Sequence, residues 1–208
     1  YNTIKEKGDM GKKVLIATVY GPDPVLLAAT RLGPDRMILL IDKETNKEQD
    51  ASVKLIQNSL GKVIDIKIVK TDVYDIVDIA KKVVEIIDLE PNDNQIFVNI
   101  TSGRKTKAIG VLFAAYARHD RVKKIAYNTE EKKEVIYLPK LSFKLTESQK
   151  SILEEIDKNP GMSITDISKK VDLSTAMLYR AIGDLEDMDF VNKEDGYTLT
   201  SAGRIARL

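Results

Sequence analysis

The 208-residue chain contains no cysteine and no tryptophan, and its single histidine is His119. No disulfide framework, thiolate nucleophile or cysteine-based zinc or iron–sulfur site can be built from it, and His-based catalysis and zinc ligation are weakened. No apolar run approaches the ~18 residues needed to cross a bilayer, so no membrane partner is expected. The absence of cysteine fits a reducing cytoplasm. Charge of neither sign dominates, with 33 Lys and Arg against 32 Asp and Glu, so bulk charge selects no partner. The first apolar run lacks the G-x-G-x-x-G of a dinucleotide site, having only Gly21 before the next helix. Ser102-Gly103-Arg104-Lys105-Thr106 resembles the end of a phosphate-binding P-loop, but Val98 stands where that motif needs its first glycine. These gaps argue against a conventional ATPase or NAD enzyme.

What remains is a chain with 43 % hydrophobic residues, enough for packed cores in one large domain or two small ones. Residues 1–9 are polar and aperiodic and are read as an arm outside the fold. From Lys13 onward, β-branched runs over 14–19, 37–41, 63–69, 95–100 and 122–127 alternate with helical candidates over 24–31, 44–60, 73–88 and 105–118. A weaker sixth run over 134–137 follows the polar stretch 128–133, which predicts a hairpin adding an antiparallel edge strand. The series predicts an α/β, Rossmann-like, mostly parallel sheet covered by helices.

The alternation stops over 139–145, which sets two domains at 10–140 and 145–208. Past the boundary, Thr146 caps a helix with Ile152, Leu153 and Ile156 inside, and Ser163 caps a second with Ile164, Ile167 and Val171. Leu173-Ser174 opens a third, whose inner residues are Leu178, Ile182 and Leu185. Asp195-Gly196 then turns a hairpin. Three helices followed by a hairpin is the order of a winged helix-turn-helix. Over 145–208 there are 8 Lys and Arg against 12 Asp and Glu, about −4, leaving about +5 for the rest of a chain whose net is +1. The first domain is the basic one.

Within it, Asn99-Ile100-Thr101-Ser102-Gly103-Arg104-Lys105-Thr106-Lys107 runs from the end of a strand into the start of a helix. Free backbone N–H groups and the helix dipole favour an anion there. Arg104, Lys105 and Lys107 in a first turn oppose the dipole, which predicts a negative ligand to offset them. Strand 1 ends at Thr18-Val19-Tyr20-Gly21, offering a hydroxyl, an aromatic face and a glycine for close backbone approach. Both segments would face one crevice if the strand order reverses between strands 1 and 4.

A Rossmann-like domain with this Asn-x-Thr-Ser-Gly-Arg-Lys loop, a second loop after strand 1 and a C-terminal winged helix resembles the CRISPR-associated Rossmann-fold (CARF) transcriptional regulators. The resemblance runs over about 13–208, more by architecture than by identity, and is most specific over 99–105. It implies a homodimer whose two CARF domains form one two-fold pocket for a cyclic oligoadenylate, most often cyclic tetra-adenylate, with control of CRISPR-Cas genes as the function. Carried over, Thr18, Tyr20 and Gly21 would contact ligand from the first loop, and Thr101, Ser102, Gly103, Arg104 and Lys105 from the second. Some members of that family cleave the ring by metal-independent 2′-hydroxyl attack, for which Thr18, Ser102 and Lys105 would be the positioning groups. A regulator sensing an unrelated phosphorylated metabolite is a further alternative. No other cofactor and no metal is expected.

In the C-terminal module the outward side of the third helix carries Thr175, Ala176, Tyr179, Arg180 and Gly183. Ser174, Thr175, Tyr179 and Arg180 are the expected contacts to double-stranded DNA, with Lys193 on the wing and Lys169 and Lys170 tracking the backbone. Asp184, Glu186, Asp187 and Asp189 would repel phosphate if they faced it, so a winged helix used for protein contact is the competing expectation. His119, in a polar turn with Asp120 and Arg121, is expected to be exposed. Tyr116, Tyr127 and Tyr137 are read as core and edge-strand residues. Asp72, Asp75 and Asp78 are spaced as one helix face and lack a converging fourth ligand for a metal.

Overall fold

The computed structural model describes residues 11–131, 134–139 and 145–208. The arm over 1–9, part of the turn over 128–133 and most of the boundary over 139–145 lie outside the described residues. The chain divides into two compact units, 1–141 and 142–208.

The first unit runs β1 (Lys13–Thr18), α1 (Asp23–Leu32), β2 (Arg36–Asp42), α2 (Lys47–Leu60), β3 (Asp65–Thr71), α3 (Ile76–Leu89), β4 (Gln95–Asn99), α4 (Lys105–Ala117), β5 (Val122–Asn128) and β6 (Val135–Leu138). The sheet order is β3-β2-β1-β4-β5-β6, parallel except for the antiparallel edge pair β5–β6. Thus the order reverses between β1 and β4, and the two loops singled out in the sequence leave adjacent strands at that switch point.

Central strands β1 and β2 are buried almost throughout, as a sheet covered on both faces requires. Leu15, Ala17, Met37, Leu39, Ile41 and Phe97 meet Val25 and Ala28 of α1 and Val53 and Ile56 of α2 in one core. Alternation sends Ile16, Thr18, Leu40 and Asp42 to the opposite face, beneath α4. There α3 and α4 cross so closely that a Cβ on Gly110 would stand 2.7 Å from Ile79 Cγ2. Exposed edge strand β3 carries Lys67 and Lys70, charges that discourage pairing with another sheet. Two helices begin later than the apolar pattern suggests because side chains cap them: Gln49 N–H donates to Asn46 and Asp78 N–H to Asp75.

The second unit runs α5 (Glu147–Lys158), α6 (Ile164–Ser168), α7 (Thr175–Asp187), β7 (Val191–Glu194), β8 (Gly196–Leu199) and α8 (Ser201–Ala206). Thr146 and Gln149 form a reciprocal capping box on α5, while Ser163 and Ser174 cap α6 and α7. Ile152, Leu153, Ile156, Ile167, Leu178, Ile182 and Leu185 close one core with Val191 and Tyr197 of the hairpin. Met162 joins Tyr197 of the wing through a single antiparallel bridge. The pattern left α8 unannounced. It is a six-residue helix begun by Thr200, whose hydroxyl accepts Gly203 N–H, and it buries only Gly203 and Ile205.

Candidate functional site

The two loops at the switch point are fastened by one hydroxyl. Tyr20 and Gly21 N–H donate to Ser102 Oγ at 2.8 and 3.3 Å, and Ser102 donates back to the Gly21 carbonyl at 3.3 Å. Ser102 is buried and acts as this clip. A second set of bonds braces the loop from β5. Asn99 Nδ2 donates to Asn128 Oδ1 at 2.9 Å, Asn128 N–H to Thr101 Oγ1 at 2.8 Å, and Asn128 Nδ2 to the Pro24 carbonyl at 2.7 Å. Asn99 in turn accepts Thr101 N–H.

Gly103 holds φ +90°, a left-handed conformation suited to glycine, so the backbone turns there into α4. Arg104 occupies the N-cap without any side-chain cap bond, leaving first-turn N–H groups of α4 open. Thr18 lies fully buried under this turn, 3.5 Å from where a Gly103 Cβ would stand. Its Oγ1 has no hydrogen-bond partner among the described residues. A buried hydroxyl left unpaired is costly, by ~1–3 kcal/mol, so Thr18 packs under the turn at a local cost.

The cations do not act as one cluster. Arg104 and Lys105 are exposed, and Lys105 forms no ion pair among the described residues. Lys107, expected beside them, is 0 % exposed and donates to Asp42 at the end of β2. It belongs to the interior, offset by a carboxylate from another strand rather than by a ligand. Burial pulls its ammonium below the ordinary lysine value of 10.5, and the Asp42 carboxylate opposes the shift. Arg104 Nε stands 3.9 Å from the other Asp42 oxygen, with its guanidinium 5.7 Å from the Tyr74 ring. The role of Asp42 is not marked in the sequence, since a lone Asp closing an apolar strand carries no local signature.

Tyr20 offers less free surface than its position suggested. Its hydroxyl donates to Glu48 at 3.1 Å and accepts from Asn46 at 3.3 Å. A Cβ on Gly21 would meet nothing within 4 Å, so that loop opens outward and the glycine answers to no close packing within the chain. Asp23, Leu26, Leu27, Thr101, Asn128 and Glu130 border a cleft of about 580 Å³ beside the clip. The aspartates before α3 also depart from one helix face. Asp72 sits in the preceding turn, where its Oδ1 accepts N–H groups of Val73, Tyr74 and Asp75. Those backbone donors, with Lys43, hold its carboxyl well below the usual range. No cluster of metal-binding side chains occurs among the described residues, and no described helix is long and apolar enough to cross a membrane.

In the second unit, Thr175, Tyr179 and Arg180 stand exposed along α7 opposite Leu178, Ala181, Ile182 and Leu185, and Ser174 caps the helix start. Lys193 on β7 reaches over Tyr197 at 5.6 Å. Lys169 and Lys170 are drawn to Asp166 at 3.1 Å and Glu155 at 3.8 Å. His119 is exposed, and Tyr137 lies on edge strand β6 under the Lys124 ammonium.

Among curated proteins none matches the chain. Among solved structures, Can2 from Sulfobacillus thermosulfidooxidans in complex with cyclic tetra-adenylate superposes with TM-score 0.51 at 16 % identity, over 93 % of this chain and 63 % of that one. Enterococcus italicus Csm6 bound to cyclic hexa-2′-fluoro-hexa-dAMP gives 0.51 at 16 % identity, over 86 % and 55 %. Protein VC1899 from Vibrio cholerae gives 0.50 at 12 % identity, over 94 % and 64 %. The chain spans less than two thirds of each of these proteins. The likeness bears out the expected CARF-type, Rossmann-like fold. Residues 145–192 match the winged helix-turn-helix DNA-binding family HTH_24, in agreement with the helix order and wing. Residues 14–134, more than half of the chain, match the family HFX_2341_N:-like, N-terminal, and the chain belongs to that family.

Proposed function

We propose that the protein is a homodimeric transcription regulator of CRISPR-Cas genes whose first unit binds a cyclic oligoadenylate, cyclic tetra-adenylate foremost, and thereby sets the DNA affinity of the winged helix. The observation that carries this reading is the start of α4. An uncapped helix end and two exposed cations, Arg104 and Lys105, meet at the switch point of a parallel sheet. Each feature is unfavourable alone and is offset by a phosphate.

Dimerisation is supported by α4 itself. Ala108, Ile109, Leu112, Phe113 and Tyr116 are only partly covered although Gly110, Val111, Ala114 and Ala115 already fill the inward side. A helix apolar on both sides suits an interface with a second copy, which would bring two cationic turns to one ring of phosphates. A ligand changes DNA affinity only through unequal binding to two arrangements of the dimer, and closure of the pocket across the two-fold axis would supply that difference. Ser102 is committed to the clip and Thr18 is buried, which supports sensing of the ring over its cleavage.

Calorimetric titration with four- and six-membered cyclic oligoadenylates tests the reading. Saturable binding of the smaller ring at one ring per two chains, with the ring recovered intact, is the expected result. Absence of binding by either ring overturns the sensor, and recovery of linear products replaces it with a ring nuclease.

A further inference from the structure

The cleft bordered by α1 and the β4–α4 turn has a chemistry unlike that of the cationic turn beside it. Its volume of about 580 Å³ exceeds that of a single base, and neither Arg104 nor Lys105 lines it. Asp23 and Glu130 do line it, and neither carboxylate takes part in an ion pair or hydrogen bond among the described residues. Leu26 and Leu27, both half-buried, supply an apolar wall. Thr101 also lines the cleft, and its Oγ1 already accepts the Asn128 N–H at 2.8 Å. That hydroxyl keeps a second lone pair and its own proton, which it gives to no acceptor among the described residues. Asn128 is fixed in place, its side-chain oxygen accepting from Asn99 and its amide donating one N–H to the Pro24 carbonyl.

Phosphate is disfavoured here by the two carboxylates, and no cation lines the cleft among the described residues. A flat, neutral group that donates to carboxylate, accepts from a hydroxyl and covers leucine side chains is favoured. An adenine edge has this arrangement, an exocyclic amine beside a ring nitrogen acceptor, whereas a purine with a carbonyl at that position would set oxygen against carboxylate. The geometry points to this cleft as a base-selecting subsite in which Asp23 and Glu130 accept from the exocyclic amine of an adenine and Thr101 donates to its ring nitrogen. Thr101 lies four residues before Lys105, so base and phosphate of one nucleotide would be read by the two ends of a single turn. The identity of the base rests on the sensor reading above; the preference for an amine over a carbonyl rests on the cleft alone.

The test uses the full chain and two pairs of probes: adenosine against inosine, which carry no phosphate, and cyclic tetra-adenylate against its inosine counterpart. Amide chemical shifts of Thr101 and Asn128 report occupancy of the cleft by the nucleosides, and calorimetry reports ring affinity. In the wild-type chain the amine-bearing member of each pair should bind about tenfold more tightly or better, the scale of one hydrogen bond to a charged group. In the Asp23→Asn/Glu130→Gln double variant, both substitutions being at exposed positions, that ratio should fall to about one, because the new amides can donate to the carbonyl. Lys105→Ala should weaken both rings alike and leave their ratio unchanged. Binding of the adenine ring with an unaltered ratio in the double variant overturns the subsite and leaves the sensor standing. Adenosine shifting the two amides without any ring binding overturns the sensor and leaves the subsite standing. Failure of all four probes overturns both.

Discussion

At the start of α4, Arg104 and Lys105 project from a helix end that already favours negative charge, and Lys105 has no acidic neighbour within ion-pair distance among the described residues. Across 145–208, by contrast, five of the eight cations meet acids, among them Lys150 with Glu147 at 2.8 Å, Lys158 with Glu154 at 2.9 Å, Lys169 with Asp166 at 3.1 Å and Arg207 with Asp157 at 2.7 Å. The Ser163 hydroxyl and then Lys169 lower the Asp166 carboxyl, and Glu154 raises the Lys158 ammonium. One unit therefore leaves positive charge open for a concentrated anion, while the other keeps little of it for a long polyanion. A compact phosphate ligand suits the first and a sparing, helix-end contact with DNA suits the second. Net charge alone, at +1, conceals this division.

The sharpest contrast is buried. Asp42 and Lys107 form a buried ion pair in the first unit, and Asp42→Ala would strand Lys107 in the sheet–helix interface. The expected cost is ~3–5 kcal/mol, the usual consequence of removing one partner of a buried pair. Hydrogen exchange should show lost protection in β1, β2, β4 and α4, with α5 and α7 unchanged; equal loss in both units would end the view that they hold charge independently. The pH dependence has a definite sign. With its folded pKa below the unfolded 10.5, Lys107 binds fewer protons in the native state, so stability rises with pH between the two values. Asp42→Asn removes what raises that pKa and moves the window downward. From pH 7 toward 10 the variant should therefore regain stability relative to wild type in thermal melts.

Next in size is the separation of the two binding surfaces. Arg104→Ala and Lys105→Ala should each weaken cyclic oligoadenylate binding by ~1.5–3 kcal/mol, the range for hydrogen bonds to charged groups, while DNA affinity without ligand stays as it was. Arg180→Ala should do the reverse in the same calorimetric and mobility-shift assays. Identical phenotypes would merge what the charge pattern divides.

How much of this was legible depends on the range of each interaction. The order of strands and helices could be read because every central strand is a continuous apolar run and the long helices α2, α3, α5 and α7 open at capping side chains. The switch-point loop stood out because Asn99 to Lys105 is local and compositionally odd. The partners of that loop were not legible. Asp42 lies 65 residues before Lys107, Asn128 lies 27 after Thr101, and Ser102 meets a backbone 82 residues away. Three cations in one first turn read alike in sequence, yet alternation on β2 puts Asp42 under α4, where it buries Lys107 and holds Arg104 at 3.9 Å, leaving Lys105 without an ion pair among the described residues. Helix α8 escaped because six residues containing Gly203 leave no periodic stripe.

The smallest expected effect concerns the salt dependence of DNA binding. Of the cations expected to touch DNA, Lys169 and Lys170 are already paired, which leaves Arg180 and Lys193 as the free ones in each winged helix. Arg204 on α8 is exposed as well, but α8 packs against α5 and β8 rather than beside α7. Each phosphate neutralised contributes about −0.9 to the slope of log K against log salt, so two per chain predict a slope of about −2, or about −4 for a dimer on two half-sites. Lys193→Ala should reduce its magnitude by about one unit per chain, and Glu186→Gln should raise affinity slightly at every salt concentration by removing repulsion. A measured slope near −10 would mean that the paired lysines release their acids on DNA, and the contrast between an open sensor and a self-neutralised reader would then hold only for the free protein.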